Sequence, residues 1–139
     1  MADLHDTLLF ADGDIIRVKG VITALTKTGG FWMQDATGGL NIYTYGAYLD
    51  TLNDLALGVE VEMIGELDIY NGLFEIKNIT ALDVTNETPA IPASISLNDV
   101  DFTNEALLPY QAQLVSFEGF VLKYAVTATS GSFSAVLVD

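Results

Sequence analysis

The order of extended segments in this chain predicts an all-β protein. The expected architecture is a closed Greek-key barrel of five strands with one short helix between strands three and four, followed by part of a second, similar unit. Three observations carry that expectation. Apolar and polar residues alternate with a period of two through residues 31–34, 40–45 and 59–69, which is the signature of half-buried strands. Turn chemistry separates the strands: Asp12-Gly13-Asp14, Asp35-Ala36-Thr37-Gly38-Gly39 and Asn71-Gly72. Between the third and fourth strands lies a stretch with helical spacing, residues 48–57 (YLDTLNDLAL), which Gly58 ends.

Each element follows from its residues. Residues 3–11 (DLHDTLLFA) carry apolar side chains at helical spacing and predict a short N-terminal helix. Ile15 to Leu25 is a long β-branched strand with Gly20 in its middle, where a glycine marks a bend that lets one strand serve two sides of a small barrel. Phe31 to Gln34 and Leu40 to Tyr45 form a hairpin whose turn Asp35 caps with its carboxylate. Val59 to Ile69 alternates, with Val59, Val61 and Met63 set against Glu60 and Glu62. The Asn71-Gly72 turn joins it to the last strand, Leu73 to Val84. A long bent strand, two more strands, a helix, then a fourth and a fifth strand is the order of a five-stranded OB-fold barrel. It is expected within residues 1–85.

Residues 86–93 contain Pro89 and Pro92 and read as a linker. Beyond them, residues 94–139 restart the pattern as a truncated second OB-like repeat. Gly119 aligns with Gly20, Phe117 with Val18 and Asp139 with Asp35. The apolar positions of this copy (Leu114, Phe117, Phe120, Val121, Val136 and Val138) need a cover. The first barrel, a second chain in a homodimer, or a covering domain of a full-length parent would each supply one.

Charge and composition narrow the function. The formal net charge is −14, from 5 Lys+Arg against 19 Asp+Glu, a poor global match to phosphate backbones or anionic lipid. No apolar run approaches the roughly 20 residues of a membrane helix, so membrane insertion is not expected. Cysteine is absent and His5 is the sole histidine, so nucleophilic and transition-metal hydrolysis lack their parts. Asp12, Asp14 and the Asp68–Gly72 loop lack the ligand spacing of a calcium loop, and their residue types are those of turns. The chain is expected to have no catalytic residues, no metal and no cofactor.

One surface stands out. In the central hairpin, alternation sends Phe31, Met33, Leu40 and Ile42 to the core and puts Trp32, Gln34, Asn41, Tyr43 and Tyr45 on the opposite face. Tyr70 lies in the loop between strands four and five. OB-folds bind ligands across strands two and three, and aromatic rings there stack bases with little regard to sequence. Arg17 and Lys19 on the first strand are the nearest cations. These eight residues form the candidate nucleic-acid surface. The same rings also suit a sugar face, or a Trp32–Tyr43 cross-strand pair that only braces the hairpin.

The segments DGDIIRVKGVITAL, GGFWMQDATGGLNIYTYG and LGVEVEMIGELDIYNGLFEI resemble the OB-fold domains found in tandem in bacterial secreted nucleases and related surface proteins. The shared pattern is strand–Gly–strand, a GF-x-x-QD-x-x-GG hairpin, and a hairpin closed by Y-N-G, covering residues 12–84. The resemblance implies an extracellular or cell-surface location. It also implies a non-catalytic accessory role, binding single-stranded nucleic acid beside a nuclease domain that is not among these residues. The alternative is a structural or adhesion-type module of a secreted protein, binding protein or carbohydrate.

Overall fold

The computed structural model describes residues 9–26, 30–44, 55–86, 88, 90–119, 121–127 and 133–138, with Asn104 and the last two ranges described by backbone alone. Five strands close into a barrel: β1 (Ile15–Leu25), β2 (Phe31–Gln34), β3 (Gly39–Ile42), β4 (Glu60–Tyr70) and β5 (Leu73–Asn86). The order around the barrel is β1-β2-β3-β5-β4, with β4 returning to β1. Only the closing pair β3–β5 is parallel, through Asn41–Glu75 and Ile42–Ile76. Closure removes every free sheet edge from this unit.

β1 does bridge two sides of the barrel. Ile15–Val21 pairs with β4 and Val21–Leu25 with β2, so Val21 faces both neighbours. The irregularity falls at Thr23, which the β2 register skips, and not at Gly20. β4 (EVEMIGELDIY) alternates as expected, with Val61, Met63 and Leu67 buried and the glutamates on the outer face. Asn71 (φ 53°) and Gly72 (φ 86°) make a two-residue turn between the paired Tyr70 and Leu73. Both φ values are positive, as a type I′ turn requires. The carboxylate cap on the β2–β3 turn is present: Asp35 Oδ1 accepts from Thr37 N (2.7 Å), Thr37 Oγ1 (2.7 Å) and Gly38 N (2.9 Å).

The core takes Phe31, Met33, Leu40 and Ile42, all fully buried, from the central hairpin. Ile22, Val61, Met63, Leu67 and Ile76 fill it from the other strands. Burying side chains of this size contributes about 1.5–3 kcal/mol each. Gly65 sits where the β4–β5 register shifts, and a Cβ there would collide with the Ile76 side chain. Of the helices expected over 3–11 and 48–57, residues 3–8 and 48–54 lie outside the described residues, and the described ends, 9–11 and 55–57, are not helical; the third strand, expected to run to Tyr45, stops at Ile42, and Tyr45 itself lies outside the described residues.

After β5 the chain crosses back over the barrel. β6 (Ile95–Ser96) pairs in parallel with β7 (Val115–Ser116). Between them run α1 (Asn104–Leu107) and a 3-10 turn at Leu108–Tyr110. Leu97 is buried, and Phe102 packs edge-on against Phe117 with ring centroids 6.0 Å apart. β8 (Val121–Thr127) and β9 (Phe133–Val138) form a separate antiparallel hairpin.

The backbone of this second region echoes the first. Gln113 N donates to Tyr110 O, as Asp14 N donates to Ala11 O, each at 3.1 Å, with positive φ at Ala112 (61°) and Gly13 (94°). In β8–β9 the pairs Val121–Val138, Leu122–Leu137, Tyr124–Val136 and Ala125–Ala135 skip one residue, Lys123. In β1–β2 the pairs Val21–Gln34, Ile22–Met33, Ala24–Trp32 and Leu25–Phe31 skip Thr23 in the same place. The turn coincides when Gly20 is set against Gly119; the hairpin coincides one residue further on, beyond the positive φ of Gly119 (84°).

Candidate nucleic-acid interface

The outer face of the β2–β3 hairpin is divided in two. The row nearest the turn is Gln34 opposite Gly39. This row is sealed. Gln34 is only 4% exposed, and its Oε1 accepts a 2.6 Å bond from Leu114 N. The Ala112 carbonyl lies so close to Gly39 that a Cβ would overlap it. Gln111 extends the seal to the β4–β5 turn, accepting from Phe74 N (2.9 Å) and donating to Gly72 O (2.8 Å). Residues 111–114 therefore act as a strap fastened to β2, β3 and β5.

The next outward row is open. Trp32 stands opposite Asn41, and both are half-buried. Tyr43 follows, 49% exposed, its N–H donating to Ile76 O. Because Trp32 pairs with Asn41, Tyr43 is a diagonal and not a directly opposite neighbour of Trp32. Tyr70 ends β4 at the hairpin tip, 64% exposed. Tyr45 lies outside the described residues.

The open row continues across the barrel into charge. Asn41 pairs with Glu75, and Glu75 pairs with Asp68, so Trp32, Asn41, Glu75 and Asp68 form one line over four strands. Asn41 Nδ2 donates to Glu75 Oε2 at 2.8 Å. Lys77 Nζ reaches Asp68 at 2.6 Å and Glu66 at 3.5 Å. Burial pushes the Glu75 carboxyl above the usual range, helped by the neighbouring Asp68, while the Asn41 N–H pulls the other way. The Lys77 hydrogen bond holds Asp68 below the usual range. Glu75, Asp68 and Lys77 did not emerge as site residues from the sequence. Alternation along LFEIK places Glu75 and Lys77 outward, but the long-range β3–β5 pairing is what brings Glu75 to Asn41.

Arg17 and Lys19 lie on the outer face where β1 meets β4, and each is matched to a carboxylate: Arg17–Glu62 at 3.2 Å and Lys19–Glu60 at 2.9 Å. Lys19 shares a cleft of about 670 Å³ with Gln34, Asp35, Glu60, Ile95 and Gln113, formed where the returning chain crosses β1 and β2. The structure thus groups Trp32, Asn41 and Tyr43 on one surface and Lys19 with Gln34 in another place. Among the described residues, no group of three or more acidic or histidine side chains is arranged to hold a metal ion. No described helix is long and apolar enough to cross a membrane.

No family model matches the chain. It is 28% identical over 131 residues to Endonuclease YhcR of Bacillus subtilis (strain 168), a match that spans 89% of this chain and 11% of the endonuclease. A protein of Leishmania major Friedlin described as an aspartyl-tRNA synthetase superposes with a TM-score of 0.53 at 10% identity, covering 66% of this chain and 21% of that one. The hypothetical protein ygiW from E. coli superposes with a TM-score of 0.46 at 18% identity, over 59% of this chain and 86% of its own. The chain is homologous to a short stretch of the endonuclease and folds as a closed five-strand barrel of the OB type.

Proposed function

We propose that this chain is a non-catalytic OB-fold binding module that holds single-stranded nucleic acid weakly, as an accessory to an extracellular nuclease. On this reading residues 94–139 are a second OB-like unit. The observation that carries the reading is the open row of Trp32 and Asn41 with the half-exposed Tyr43 just past the end of β3, in a chain homologous to part of an endonuclease.

The magnitudes set the expected strength. Stacking contributes about 1–3 kcal/mol per base, so two rings give roughly 2–6 kcal/mol. A millimolar Kd corresponds to about 4 kcal/mol. Phosphate contacts add little, because Arg17, Lys19 and Lys77 already face carboxylates and few counterions would be released. Binding should therefore be weak, driven by the rings and nearly flat in salt. Magnesium should help by screening the acidic surface.

Trp32 is the single tryptophan and reports on its own site. Its fluorescence should be quenched by a short single-stranded oligonucleotide with magnesium present, and Tyr43→Ala should weaken the response. Anisotropy of a labelled oligonucleotide tests Trp32→Ala, which should lose roughly 10-fold or more in affinity. No quenching at millimolar oligonucleotide would remove the reading. A second reading, a structural or adhesion-type module, is favoured by one feature: the carboxylates beside the rings suit sugar hydroxyls as well as bases. Quenching by oligosaccharides alone would select it.

A further inference from the structure

We propose that Asn41, held by Glu75, is the base-discriminating residue of the open row, and that it favours bases carrying an exocyclic amino group over thymine and uracil. This rests on the reading above and goes one step into it. Glu75 is nearly buried and its Oε2 accepts from Asn41 Nδ2 at 2.8 Å. A carboxylate only accepts, so the amide must turn its NH₂ toward Glu75 and keep its carbonyl oxygen for a ligand. Asn41 stands directly opposite Trp32 on the outer face, close enough for a ring stacked on the indole to present its edge to that oxygen. Behind it, in register, come the carboxyls of Glu75 and Asp68, so acceptors outweigh donors along the row, the second Asn41 amide hydrogen being the donor left beside the indole.

The donor pattern of the bases decides the preference. Cytosine and adenine present an amino group with two hydrogens, and carboxylate and amide acceptors pair with it. Thymine's single N3–H is flanked by two carbonyl oxygens, which the negative field of Glu75 and Asp68 disfavours. The cation on this face does not compensate, because Lys77 is drawn to Asp68 and Glu66. The acidic balance that disfavours phosphate becomes a source of base preference here. Glu75 acts through Asn41 and is a positioning residue.

The test is a Trp32 fluorescence titration of the full chain with oligo(dC) and oligo(dT) of equal length, with magnesium present. The expected result is oligo(dC) binding about 5-fold more tightly, the scale of one net hydrogen bond. Asn41→Ala should bring oligo(dC) to the level of oligo(dT) while both still quench. Glu75→Gln keeps a hydrogen bond to Asn41 but lets the amide face either way, so the preference should shrink without loss of binding. Should Asn41→Ala fail to fold, Glu75→Gln alone decides. Equal binding of the two oligonucleotides, or a preference that survives these variants, overturns the inference and leaves the binding reading standing. Failure of both to bind overturns the binding reading itself.

Discussion

The two outward rows of the central hairpin, Gln34–Gly39 and Trp32–Asn41, differ by one step of the pleat and have opposite fates. The first is closed by residues 111–114, and the second is open and runs into a line of acceptors. Both rows point away from the core for the same local reason. What separates them is a segment more than 70 residues away along the chain, which buries Gln34 and reaches Gly39 because glycine leaves room for the Ala112 carbonyl. A surface read from alternation is thus a set of candidates, and tertiary contacts select among them.

The largest expected effect comes from forcing the closed row open. Gly39→Val should push the strap off β3 at a cost of about 3 kcal/mol, the scale of overpacking a tight contact. A lowered Tm and new proteolytic cleavage in residues 90–116 would register it, and an unchanged melt would mean the strap is not held there. Gln34→Ala attacks the same row from the other strand. It strands Leu114 N without its acceptor and should cost about 1–2 kcal/mol by denaturant titration.

The open row answers to pH instead. The Glu75 pKa is raised in the folded protein, so its contribution is fully present below the unfolded carboxylate range and is lost as pH rises through the folded value. Asp68, lowered by Lys77, behaves in the opposite sense and loses its contribution as pH falls. Glu75→Gln removes the first contribution and leaves in place the Lys77 hydrogen bond that chiefly lowers Asp68. The variant should therefore melt slightly above the parent at neutral pH, by no more than about 1 kcal/mol of stability, and match it below the ordinary carboxylate range near pH 4. A stabilisation that persists in acid would rule out ionisation as its cause. The smallest effect is expected at Lys19→Gln, on the exposed Lys19–Glu60 pair outside both rows. Neither Tm nor the salt slope of oligonucleotide binding should move; a flatter slope would place phosphate at Lys19.

Particular elements show how much was legible in advance. β1 and β2 fall on their sequence-derived limits, because β-branched alternation and flanking turns are local signals. Asn71-Gly72 makes the expected turn, and Asp35 caps the other. The glycines of that other turn serve a different purpose from the one expected: Gly38 and Gly39 are absent from the positive-φ residues, and Gly39 is instead a point of close approach. Trp32, Asn41 and Tyr43 were legible as an outward set, whereas the place of Glu75, and of Asp68 beside it, was not, since Glu75 reaches Asn41 only through a parallel pairing across 34 residues of sequence.

By itself, then, the sequence determined the strands, their inward and outward faces, the turns and the order that makes a barrel, because each is set by side-chain period and backbone preference within a few residues. Only the tertiary structure decided which outward residues meet solvent, which cations are already matched by carboxylates, and that an amide beside the indole is turned by a nearly buried glutamate. Those outcomes depend on contacts between segments far apart in the chain, and nothing in a local pattern specifies how distant strands align.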